Sequence, residues 1–260
     1  MIAVIIRQPH AAAGTLLLLG LLLAAGCAAD RTAEAQAAAA TTNRTGPAAV
    51  VLVAGSDEEP VFDNARLALE EELRRASPAP LAVTSLSAAP DASPDAAMPA
   101  TLANIETAFA RTAPGASACF LFATSHGSPE GMQLTHSEEV PAPARLDAIL
   151  DRHCAGRPTV AIISACFSGV FARGPLPDRN RIILTAAARD RPSFGCSDDL
   201  SYTYFDEALL KVLPRARRWD ELYASLKAEV TVRERELGAR PSLPQASFGG
   251  SVPPDLLLKP

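Results

Sequence analysis

Two apolar runs that stop on reactive side chains constrain this chain more than anything else in it. The first is Ala118-Cys119-Phe120-Leu121-Phe122-Ala123-Thr124-Ser125-His126-Gly127; the second is Thr159-Val160-Ala161-Ile162-Ile163-Ser164-Ala165-Cys166-Phe167-Ser168-Gly169. Neither alternates polar with apolar residues, and continuous apolar strands belong to parallel sheets covered on both faces. In open α/β sheets the crevice beyond the carboxyl ends of the strands is where ligands bind. A histidine and a cysteine delivered to that edge are the parts of a thiol nucleophile site.

The flanking sequence repeats the strand–helix rhythm. Ala48 to Ala54 reads as a first buried strand closed by Gly55-Ser56, and Leu81 to Leu86 as a second. Ala65, Leu67, Leu69 and Leu73 predict a helix over 63–76, and further helices are expected at 102–110, 144–153, 205–213 and 219–232. A Pro- and Ala-rich stretch before Leu102 reads as a loop. A short hairpin is expected around Met132 to Leu134, a fifth apolar strand at Arg181 to Ala187, and a last short strand at Gln245 to Phe248. This order predicts an α/β fold with a mostly parallel central sheet between two helical layers.

The amino-terminal end reads as an export signal. Arg7 precedes an apolar stretch from Ala11 to Ala25 that is too short for an ordinary spanning helix, and small residues follow at once. Ala24-Ala25-Gly26-Cys27 resembles a lipobox, with its leucine one place further upstream than usual; Cys27 would then carry the lipid of an outer-membrane lipoprotein facing the periplasm or the surface. A plain secretory signal, delivering the chain to the periplasm, is the alternative. Residues 28–47 are Ala- and Thr-rich and read as a flexible tether, leaving 48–260 as one domain. The net charge of −5 comes without any basic cluster interleaved with aromatics, so nucleic acid is not an expected partner.

Five cysteines in an exported chain need sorting. Cys119, inside an apolar strand, reads as a small buried hydrophobe. Cys154 and Cys196 remain as a candidate disulfide pair, and Cys166 as the odd, reactive thiol. No set of His, Cys and carboxylate residues has metal-ligand spacing; His153-Cys154 is the nearest approach, so neither metal nor cofactor is expected.

A cysteine at neutral pH is mostly protonated, and an imidazole or helix N-terminus is needed to raise its thiolate fraction. Cys166 sits where a strand turns into Phe167-Ser168-Gly169, a place for backbone N–H groups to face an oxyanion. Gly127, without a Cβ, suits the same task, and His126 can serve as general base and then acid. An α/β-hydrolase elbow of the Gly-x-Ser-x-Gly type is absent, and Ala54-Gly55-Ser56-Asp57 has too few glycines for a dinucleotide fingerprint.

An apolar strand ending in His-Gly followed by one ending in Ala-Cys resembles the double signature of the caspase-like cysteine peptidases. Within that group the chain resembles the legumain, or C13, family: Val53-Ala54-Gly55-Ser56 is similar to the family's opening strand. Thr185 to Cys196, with Thr203-Tyr204-Phe205 beyond it, is similar to the segment after its catalytic strand. The likeness covers roughly residues 48–210. It implies a caspase-like three-layer fold and a cysteine endopeptidase working through an acyl-enzyme on peptide or protein substrates. His126 and Cys166 would be its dyad, and the Gly127 and Cys166 amides its oxyanion donors.

Departures from the family bear on specificity. The residue two before the nucleophile, a pocket Glu in legumains, is Ser164 here. The family's arginine falls near Ala65-Arg66 and is lost or displaced. Ser193 matches a pocket serine, and Glu207, beside Asp206, falls where the family has a pocket Asp. An acidic pocket without its basic partner implies cleavage after Asn, Arg or Lys and not Asp. A catalytically inactive envelope scaffold protein and a transpeptidase are the competing readings.

Overall fold

A computed structural model describes residues 46–95 and 97–259. Cys27 and nearly all of the expected signal and tether lie outside the described residues. Seven strands form one sheet in the order β3-β2-β1-β4-β7-β8-β9. These are β1 (Ala48–Ala54), β2 (Leu81–Ser87), β3 (Met98–Pro99), β4 (Ala118–Thr124), β7 (Thr159–Ser164), β8 (Arg181–Thr185) and β9 (Gln245–Phe248). Only β9 runs antiparallel. The intervening β5 (Gly127–Ser128) and β6 (Gly131–Met132) form a separate small hairpin.

The helices are α1 (Val61–Ala76), α2 (Leu102–Thr112), α3 (Pro143–Cys154), α4 (Tyr204–Val212) and α5 (Trp219–Glu236). Side-chain parity along the strands sorts them into two layers. Val50, Leu52, Phe120, Phe122, Val160 and Ile162 face α1, α4 and α5, where Leu69, Phe205, Trp219 and Leu226 meet them. Val51, Val53, Leu121, Ala161 and Ile163 face α2 and α3, where Ile105, Phe109, Leu146 and Leu150 meet them. Because both faces are covered, β1, β4, β7 and β8 are buried throughout, which is why their sequences show no alternation. The caspase-like three-layer α/β architecture is the one the sequence predicts.

From β1 the chain first winds through β2 to β3, then returns to place β4 on the other side of β1. This reversal is a topological switch point, and it opens a crevice beyond the carboxyl ends of β1 and β4. His126, Cys166, Glu58 and Glu59 follow the carboxyl ends of β4, β7 and β1 at that edge.

Boundaries differ from the sequence reading in small ways. Helix α1 starts two residues early, α5 runs on to Glu236, and β8 stops at Thr185. The hairpin lies at Gly127 to Met132 instead of Met132 to Leu134. The Pro/Ala-rich stretch hides the edge strand β3, too short to carry a pattern.

The disulfide differs more. Cys119 pairs with Cys154, not Cys154 with Cys196. Cys119 points into the α2/α3 layer, where Cys154 ends α3. Cys196 packs instead beside Ala54, Val61 and Phe62, under α1 on the opposite face of the sheet, so no bridge between Cys154 and Cys196 can form. The native pair closes a loop with a sequence separation of 35. By chain entropy such a closure contributes about 3–4 kcal/mol. The double variant Cys119→Ala/Cys154→Ala is expected to lose that much in urea unfolding, and the wild type to lose it on reduction. Unfolding that is insensitive to both changes would mean that the thiols are not bonded.

Candidate active site

Strands β4 and β7 pair in parallel with Thr124 opposite Ser164. One further main-chain bond, Ser125 N–H to Ser164 O at 3.0 Å, extends the ladder past the strand ends. The two chains therefore leave the sheet side by side, and His126 and Cys166 follow within two residues. Gly127 locks the exits together: a Cβ there would overlap the Cys166 carbonyl oxygen and lie 2.9 Å from Ala165 Cβ. The His-Gly and Ala-Cys blocks are thus in direct backbone contact, as the sequence pattern requires.

His126 is held on three sides. Its Nε2 lies 3.0 Å from Glu59 Oε2 and 3.1 Å from Glu58 Oε2, and Phe62 meets its ring edge-on at 5.1 Å. A carboxylate on Nε2 assigns the proton to that nitrogen and leaves Nδ1 as the basic one. Gln133 N–H closes the loop onto the His126 carbonyl. Glu58 and Glu59 come from the loop after β1, the other side of the switch point, and sequence reasoning missed them. The signal was available: in a switch-point fold the residues after the first strand face those after its neighbour.

Cys166 turns sharply out of β7. Phe167 takes a left-handed backbone conformation with φ of 58°, an arrangement that bulky residues adopt rarely and mainly where surroundings enforce it. Its N–H donates to Arg191 O, which supplies that enforcement. The Cys166 sulfur accepts the Ser193 N–H at 3.2 Å and lies 3.5 Å from the Ser193 carbonyl oxygen, so the Ser193 main chain stands beside the thiol. Burial pushes the Cys166 thiol above its ordinary range, with the Ser193 N–H pulling the other way. Burial thus favours the neutral thiol.

Below the ends of β4 and β7 lies a buried acid. Asp206, on the first turn of α4, is inaccessible to solvent, and Thr124 Oγ1 donates to its Oδ2 at 2.7 Å. Its Oδ1 has no hydrogen-bond partner among the described residues. Burial raises this carboxyl to about 6, although the hydroxyls of Thr124, Ser164 and Thr203 favour the ionised form. Thr124 and Ser164 are partners across β4 and β7, so Asp206 sits directly under the residues preceding His126 and Cys166.

Glu207 is not part of this group. It is exposed on the outer side of α4, in a shallow surface depression with Lys211, Arg233 and Glu236. Thr203 caps the helix, and successive helical residues are about 100° apart, so only one of the two acids faces the sheet. Arg66 is also elsewhere: fully buried, it binds Asp63 at 2.8 Å and Asp95 at 2.5 Å, and its charge is consumed there. Cys196 is a neighbour of the site. Its thiol is pushed up to about 12 by burial first, then by the charges of Cys166, Glu59 and Asp206.

Comparisons with known proteins bear on the family and the fold. The sequence profile of the Peptidase C13 family matches residues 115–249, which contain His126, Cys166, Ser193 and Asp206. No curated protein sequence matches significantly. Among solved structures, the crystal structure of caspase-1 from Spodoptera frugiperda is similar at a TM-score of 0.59, with 15% identity, covering 84% of this chain and 91% of that one.

A pH series of alkylation separates a neutral thiol from a resting thiolate. Iodoacetamide labelling of Cys166 is expected to be slow at neutral pH and to rise steeply on the alkaline side, because burial disfavours the thiolate. Cys196, whose thiol is pushed up further, should label more slowly than Cys166 throughout the series. Fast, pH-independent labelling of Cys166 below neutrality would contradict a neutral resting thiol.

Proposed function

The chain belongs to the Peptidase C13 family, and from that premise we propose that it is a cysteine endopeptidase. The observation that carries the reading is the contact of Gly127 with the Cys166 backbone, which brings the His and Cys blocks together. In this reading His126 Nδ1 takes the Cys166 proton as the sulfur attacks the scissile carbonyl. Glu59, on Nε2, is a positioning residue: it holds the tautomer and stabilises the imidazolium that forms. The Gly127 and Cys166 amides receive the oxyanion. His126 then passes its proton to the leaving amine, and water resolves the acyl-enzyme by the reverse sequence. Nothing in the site favours an amine over water in that last step, so transpeptidation is not the primary reading.

The P1 side chain is proposed to enter beside Ser164 and Ser193 and to reach the buried Asp206, whose Oδ1 has no hydrogen-bond donor among the described residues. A buried acceptor left unpaired costs free energy. A P1 Arg, Lys or Asn supplies the missing donor; a P1 Asp adds a second carboxylate and is rejected. A scaffold protein would have no use for a carboxylate on His126 and an amide on the Cys166 sulfur.

We also propose export and lipid anchoring through Cys27, placing the domain in the cell envelope. The Cys119–Cys154 bond suits an oxidising compartment. Membrane fractionation tests the anchor, which is refuted if Cys27→Ser still partitions into the detergent phase.

Hydrolysis of P1-diversified fluorogenic peptides by the purified protein tests the reading. Cys166→Ala and His126→Ala are each expected to abolish turnover. Asp206→Asn should cost about 2 kcal/mol, roughly 30-fold in kcat/KM, on P1 Arg and much less on P1 Asn. The wild-type preference for Arg over Asn should be present above about pH 6 and fade below it, as Asp206 takes up its proton. Cleavage only after Asp or large apolar residues would refute the pocket. No turnover, with Cys166 also inert to peptide electrophiles, would point to a binding protein.

A further inference from the structure

The carboxylates on His126 do more than orient a ring. Glu58, Glu59 and His126 each present one donor atom, and the three atoms lie within 4.8 Å of one another. The nitrogen is 3.0 Å from one carboxylate oxygen and 3.1 Å from the other. Zinc bonds to imidazole nitrogen and carboxylate oxygen of roughly 2.0–2.2 Å set donor–donor edges of about 3.4 Å in a tetrahedron. The two edges from the imidazole nitrogen are therefore within a few tenths of an ångström of that value before any ion arrives. Two carboxylates and a neutral imidazole also balance a doubly charged ion.

We propose that Glu58, Glu59 and His126 form a binding site for a divalent transition-metal ion, best matched by Zn2+, whose occupancy switches the peptidase off. This rests on the peptidase reading above. The imidazole nitrogen selects against Mg2+ and Ca2+, which take oxygen ligands. Access is open on one side: the Glu58 side chain is 62% exposed, while Glu59 and His126 are 21% and 23% exposed. The packing of Phe62 against the ring holds it ready, so binding requires little rearrangement. Three protein ligands leave a fourth tetrahedral position for water or for a thiolate.

Inhibition follows from the proton count. In the resting site the Nε2 proton is donated to Glu59 and Nδ1 is free to act as base. An ion takes the Nε2 lone pair, and the ring's single proton moves to Nδ1. With Nδ1 carrying the ring's proton and Nε2 bound to the metal, neither nitrogen can accept the proton of Cys166. The enzyme is then reversibly silent, and chelation restores it.

Calorimetric titration of the chelator-treated full-length protein with Zn2+ tests the site directly, with Co2+ as a spectroscopic stand-in for coordination geometry. One ion per chain is expected in the wild type and equally in Cys166→Ala, since the thiol is not among the three ligands. Glu58→Gln, an exposed and structurally tolerant change, is expected to weaken binding about 10-fold or more, and His126→Ala likewise. In parallel, peptide hydrolysis by the wild type should fall in proportion to Zn2+ occupancy and return on adding chelator. Absence of binding, or binding lost in Cys166→Ala and retained in Glu58→Gln, overturns the site. Binding as predicted in a protein that hydrolyses nothing when metal-free supports the site and removes the peptidase reading instead.

Discussion

The parallel pairing of β4 with β7 is the interaction on which the rest of this structure depends. Its register places Thr124 opposite Ser164, so the residues that leave the two strands emerge together. Side chains alternate across a sheet, and a slip of one residue would turn every one of them to the other face. Phe120 and Phe122 would move out of the α1/α4/α5 layer, and Thr124 and Ser164 would no longer flank Asp206. The core and the site are thus specified by the same ladder. The absence of a Cβ at Gly127 then lets the exits close onto each other.

The electrostatics of the crevice are unusual for a thiol site. Glu58 and Glu59 stand on His126, Asp206 lies beneath the ends of β4 and β7, and the Cys166 thiol is disfavoured as an anion by burial. Burial of the thiol opposes a standing thiolate–imidazolium pair. It suits a neutral thiol that gives up its proton only as a substrate carbonyl arrives, with the carboxylate on His126 stabilising the cation that results. Arg66, the first basic residue after Glu58 and Glu59, is tied into its own buried acid pair.

Much of this was legible in the sequence, for identifiable reasons. Strands buried on both faces announce themselves as apolar runs, so β1, β4, β7 and β8 were readable, and so were the positions of His126 and Cys166 at their ends. Features set by the third dimension were not. Cys119 sits in a strand that looks uniformly apolar, and only its parity shows that it faces Cys154. Asp206 and Glu207 are adjacent in sequence, and which of them enters the core depends on where Thr203 caps the helix. Glu58 and Glu59 lie 67 or more residues from His126, in a loop whose acidic composition reads as solvated surface. Only the reversal of strand order between β1 and β4 brings them to the imidazole.

The account stands most directly on one measurement: the structure of the protein after reaction with a peptidyl acyloxymethyl ketone ending in P1 Lys. It predicts a thioether at Cys166 Sγ, the ketone oxygen between the Gly127 and Cys166 amides, and the lysine ammonium directed at Asp206. An adduct on Cys196, or a peptide bound without any bond to Cys166, would contradict it.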